Sequence, residues 1–169
     1  GTVVNDMYDK LLLSGNCLGP SAVVFRREFF SERHIKFNEG KEFFTIEDYD
    51  FWLQLSKVCR FRLIPEVLAY YRITETGAFL GNAETSSQNM LRLLTTHFAK
   101  LENPTLTQRY RMRKRISSVM CAAGRMHHHH RHYADAQRWY RKALKEFPLN
   151  YRAAAAYLLS LIRVRIIYK

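Results

Sequence analysis

Hydrophobic positions change their spacing along this chain: short apolar runs dominate before residue 84, and repeats of three and four residues follow it. Met7, Tyr8, Leu11 and Leu12 predict a short helix stopped at Ser14-Gly15-Asn16. Ala22-Val23-Val24-Phe25, entered through Gly19-Pro20-Ser21 and closed by Arg26-Arg27, predicts a buried strand. Residues 27–30 begin a turn or helix, 35–40 form a loop, and Phe43-Phe44-Thr45 is a short extended lead.

That lead opens into Glu47-Asp48-Tyr49-Asp50-Phe51-Trp52-Leu53-Gln54-Leu55, an amphipathic helix running to about Lys57. At 3.6 residues per turn Phe51, Trp52, Leu55, Val58 and Cys59 share one side with Asp48, while Asp50, Gln54 and Lys57 face away. Thr45 is placed to cap the helix, with Asp48 as its capping-box partner. A carboxylate on the apolar side of a helix start is costly unless it is hydrogen-bonded or used, so Asp48 is the first candidate for chemistry.

Residues 59–64 predict a strand, and residues 67–73 a second one after Pro65-Glu66. Strand, helix, strand, strand in this order is part of an α/β, Rossmann-like layer with too few strands to be whole, so the remainder is expected upstream. From Glu84 the pattern is helical: about 84–100, 107–126, 133–147 ended by Pro148, and 151–167. The expected fold class is therefore α/β over residues 1–83, followed by an α-helical C-terminal unit over 84–169.

Charge sharpens that division. There are 10 Lys+Arg against 11 Asp+Glu up to Ala83, and 17 against 4 from Glu84 onward, so the halves carry −1 and +13. The second half suits an anionic partner, or is a solvated basic face without one. Its basic residues lack regularly interleaved aromatics, which disfavours nucleic acid. The last helix, apolar on much of its surface with a basic end, fits either an anionic membrane interface or a buried position. Three cysteines in no CxxC spacing, no apolar run of membrane-spanning length and no leader pattern give an expected cytoplasmic location, peripheral at the inner face of the cell membrane if that helix binds lipid. His127-His128-His129-His130 with His132 is expected to be a polar linker with adventitious nickel or zinc affinity and no built metal site.

Three segments in succession resemble the C-terminal, acceptor-side half of a family 2 glycosyltransferase of GT-A fold. They are Gly15-Asn16 with the Pro20 to Arg27 segment, then Glu47 to Leu55, then Ile64-Pro65-Glu66-Val67-Leu68-Ala69-Tyr70-Tyr71-Arg72. The resemblance covers about residues 1–76. It implies an inverting transfer from a nucleotide sugar to the hydroxyl of a glycan or lipid-linked acceptor in polysaccharide or cell-envelope biosynthesis. Asp48 would be the catalytic base and Glu47 its support, with Trp52, Arg72 and Asn16 touching substrate. Arg72 suits a diphosphate, since guanidinium binds phosphate oxygens well. Mg or Mn is expected in the full-length enzyme; its Asp-x-Asp ligands are not in this chain, which alone is expected to be inactive.

Residues 134–150 in turn resemble the second helix of a tetratricopeptide repeat, with Ser117 to Gly124 as its first helix and Tyr151 onward as the start of the next. One repeat is too few for a solenoid groove, so a hairpin packed on the transferase body is expected. The alternative to an enzyme is a helical interaction module that binds a protein, an anionic membrane or nucleic acid without catalysis.

Overall fold

A computed structural model describes residues 1–70 and 83–164. The chain divides into two compact units, Gly1–Ala78 and Phe79–Lys169. The first contains β1 (Thr2–Val4), α1 (Met7–Ser14), α2 (Glu28–Ser31), α3 (Glu47–Leu55) and β2 (Phe61–Leu63), with 3-10 turns at Pro20–Ala22 and Lys41–Phe43. The second contains α4 (Ala83–Ala99), α5 (Leu106–His129), α6 (Tyr133–Glu146) and α7 (Tyr151–Leu161).

The α/β expectation is overturned. Among the described residues the sheet is one antiparallel ribbon, β1 against β2, with Thr2 opposite Leu63 and Val4 opposite Phe61. A Rossmann-like layer needs parallel strands buried on both faces by crossover helices, and the chain is instead mostly helical, which also removes the GT-A likeness. Residues 20–25 form no strand: Val24 is 99% exposed, while Phe25 packs against Phe51. Ile64, Val67, Leu68 and Tyr70 are likewise exposed, and residues 64–70 form no strand; residues 71–73 of the expected second strand lie outside the described residues. β1 was not legible, because three residues at a chain start carry no period.

The first unit is organised on α3. Tyr49, Phe51, Trp52, Leu53 and Leu55 are all buried, and α3 packs against α1, whose Leu11, Leu12 and Leu13 are buried as well. The Tyr49 hydroxyl donates to the Leu11 carbonyl at 2.6 Å, close to where α1 ends. Gly15 then turns the chain at φ 118°, a conformation that disfavours any side chain. Phe25, Phe30, Phe37, Phe51 and Trp52 form an aromatic cluster with centroid separations of 4.2 Å for Phe37–Phe51 and 5.3 Å for Phe25–Phe51.

Helices α5, α6 and α7 pack on one another around Cys121, Ala136, Tyr140, Ala143, Ala153 and Ala156. Small residues let the backbones approach closely around the Tyr140 ring. The helix ends use backbone devices that no residue pattern announced. After α5, Arg131 at φ 63° donates to the His128 carbonyl and His132 to the His127 carbonyl. After α7, Arg163 at φ 56° donates to the Ser160 carbonyl and Val164 to the Leu159 carbonyl. Both are Schellman ends with arginine in the left-handed position that glycine usually holds. They correct two boundaries: α5 continues through His129, so His127 to His129 are helical, not a linker, and α7 stops at Leu161 instead of Ile167, with residues 165–167 outside the described residues.

Gly124 is where a side chain has no room. A Cβ there would meet the buried Tyr140 ring at 2.6 Å from Cε1 and 2.7 Å from Cδ1. Alanine ordinarily improves a helix interior by about 1 kcal/mol over glycine, whereas overpacking a core costs about 1–3 kcal/mol. Gly124→Ala is therefore expected to destabilise the second unit, against propensity. A urea titration showing the variant as stable as the parent, or more so, would contradict this packing.

Candidate functional site

The candidate carboxylate sits where α3 begins, and the helix starts differently from expectation. Ile46 holds the N-cap position with φ −132° and no side-chain cap, while Thr45 is left-handed at φ 69°. That conformation costs a β-branched residue about 1–2 kcal/mol. The capping box of Thr45 with Asp48 is thus corrected. Asp48 instead turns one oxygen, Oδ1, onto the Tyr49 backbone N–H at 2.6 Å. Its Oδ2 accepts from the Asn16 side-chain amide at 3.4 Å.

Asn16 is held ready for that contact: its own Oδ1 accepts the Leu18 N–H at 3.0 Å, a local turn that orients the amide. Two residues 32 positions apart in the chain are thereby brought together. Asp48 is half-buried, and burial raises its carboxyl above the ordinary value of 3.8. The adjacent Glu47 charge adds to the rise, and the Tyr49 and Asn16 hydrogen bonds oppose it. The outcome is a carboxylate more basic than usual at a helix N-terminus that favours its anion.

Glu47 is exposed beside it. Asp50, expected to face away, is 5% exposed and accepts from the Gln54 side chain at 2.6 Å one turn on, so α3 is covered on its presumed outer face too. Trp52, expected at the substrate, is 1% exposed inside the aromatic cluster, and its Nε1 makes no hydrogen bond. A ring so placed lines the core and offers no face to a sugar. Arg72 lies outside the described residues. Two hollows of the first unit, of about 680 and 740 Å³, are lined by Phe30, Phe37 and Gln54 among others and by Val24, Phe25 and Arg60 among others; neither lining includes Asp48.

The second unit carries a polar cluster that the residue pattern does not announce. The Glu84 carboxylate on α4 accepts from His127 Nε2 at 2.6 Å, from Trp139 Nε1 at 3.0 Å and from Gln88 at 2.9 Å. Burial alone would raise Glu84, yet these donors, His127 foremost, take it below its ordinary value of 4.5. His128 is fully buried. Its Nε2–H donates to the Val164 carbonyl at 2.7 Å, so in the neutral ring Nδ1 accepts from the Tyr140 hydroxyl at 3.2 Å. One run of histidines thus holds two unlike roles. Helical phase gave a signal for this, since successive residues about 100° apart meet different neighbours.

No family model, curated protein or solved structure matches the chain. With no layered sheet among the described residues and no matching family, the family 2 glycosyltransferase likeness and the tetratricopeptide likeness stand corrected as assignments of family. Among the described residues no helix is long and apolar enough to cross a membrane.

Proposed function

We propose that the first unit supplies the acceptor-side base of a sugar transfer, with Asp48 taking the proton from an acceptor hydroxyl. The observation that carries this reading is the environment of Asp48: a half-buried carboxylate of raised basicity, pinned by Tyr49 and Asn16 at the start of α3. General bases work best when their basicity is lifted toward the working pH and they are held in place. The hydroxyl oxygen attacks the anomeric carbon of a nucleotide sugar, its proton passes to Asp48, and the bond to the nucleoside diphosphate breaks with inversion. Glu47, exposed alongside, raises the basicity of Asp48 by its charge.

Among the described residues of the first unit no three His, Cys, Asp or Glu ligand atoms gather. The reading calls for Mg or Mn at the diphosphate, and no such ligand set gathers around Asp48 among the described residues. The test is release of nucleoside diphosphate by the full-length protein from a panel of nucleotide sugars, with glycan and lipid-linked acceptors. Wild-type turnover by Asp48→Asn would sink the assignment.

A second reading has its own observation. Arg109, Arg111, Arg113 and Lys114 are exposed along α5 in a half of the chain that carries +13. Such a face supports a non-catalytic module for a protein or an anionic surface. Co-sedimentation with anionic vesicles, set against a salt-dependent shift of DNA, separates the partners.

A further inference from the structure

The Schellman end of α5 does more than stop a helix. By bending the chain back at Arg131, it returns His132 toward His127, and α6 begins immediately with Asp135 in its first turn. One ligand atom from each of His127, His132 and Asp135 then lies within 4.8 Å of the others. We propose that these three residues form a zinc site, distinct from Asp48 and not one made by the consecutive histidines as a run.

Two imidazoles and one carboxylate are a donor set suited to zinc, with a fourth position left for water. Magnesium and calcium prefer all-oxygen shells and are disfavoured by the two nitrogens. The second observation is the outer support. Because His127 gives its Nε2–H to Glu84 at 2.6 Å, its Nδ1 is the nitrogen left with a lone pair. A carboxylate that orients a ligating histidine through its other nitrogen is the usual outer partner of such sites. Glu84 is itself fixed by Trp139 and Gln88. Arg138 holds Asp135 Oδ1 at 2.6 Å, which orients the carboxylate.

His132 and Asp135 also line a hollow with Tyr133, Arg131 and Arg163, so solvent and ions reach these two ligands. The two arginines repel a cation. The negative charge of Asp135, and of Glu84 acting through His127, opposes them. His128 takes no part, because both its nitrogens are used inside the fold. His129 and His130 are not in the ligand set.

The test is titration of the full chain with cobalt(II), read by visible absorption, and with zinc, read by calorimetry. One equivalent should bind in a tetrahedral ligand field. His132→Ala and Asp135→Asn should each weaken binding at least about tenfold, and Glu84→Gln about tenfold as an outer partner, with folding checked by circular dichroism. His130→Gln should bind as the parent does. The proposal is overturned if His132→Ala and Asp135→Asn bind as tightly as the parent, if only His130→Gln loses affinity, which would mean chelation by the run alone, or if the parent binds neither metal.

Discussion

At neutral pH, Asp48→Asn in the full-length protein is expected to lose transfer by about 10²–10⁴-fold, the usual contribution of a positioned base, while melting no lower than the parent. The two halves of that expectation have one cause. Burial is the largest influence on Asp48 and raises its carboxyl, so the folded chain disfavours the ionised form that the proposed base would need. For such a group the penalty is present above the folded-state pKa and vanishes below the unfolded value, here 3.8. Asparagine removes the charge and can still accept the Tyr49 N–H through its amide oxygen. The variant should therefore equal or exceed the parent in melting temperature at pH 7, with the difference closing as pH falls toward 3.8. A variant that melts well below the parent at pH 7 would show the carboxylate to be a structural cap. Activity, if retained, would remove the base.

The largest structural effect is expected at His128. His128→Ala should destabilise the second unit by about 3–5 kcal/mol, combining the void left by a fully buried ring with two lost hydrogen bonds. The loss is concentrated because His128 joins three helices. It lies on α5, meets the Tyr140 hydroxyl on α6, and holds the Val164 carbonyl just after α7. Phenylalanine at 128 refills the space without donating, so His128→Phe should recover part of the stability. Guanidinium titrations of the three forms rank them. A cost under about 1 kcal/mol for His128→Ala, the size of a surface change, would mean that the ring is not the link described.

Periodicity found the helices of the second half to within a few residues at most ends, since Leu93 and Leu94 of α4 and Tyr140 and Ala143 of α6 repeat at helical spacing over many turns. It failed where few residues speak. Val23-Val24 reads as a strand because β-branched residues favour extended backbone, but among the described residues no strand pairs with them and Val24 remains exposed. Asp48 was legible because an acid on an apolar face is anomalous by itself; its contact with Asn16 was not, since it depends on a turn 32 residues away. Asp50 was misread because period alone cannot tell whether a polar face is also covered. The histidine cluster was hidden by the uniformity of its run and by a left-handed arginine that no propensity would place there.

The ribbon of β1 and β2 has a kinetic meaning. It pairs Thr2 with Leu63, about sixty residues along the chain, and only three residues on each side reward that closure. The entropy of closing a long loop is lost before such contacts form, whereas α1 and α3 bring large buried side chains together. The ribbon is thus expected to act as the latch of the first unit, fastening last and releasing first. Amide hydrogen exchange should show β1 and β2 exchanging well before Leu53 and Leu55 of α3, and equal protection would mean that the latch and the core open as one.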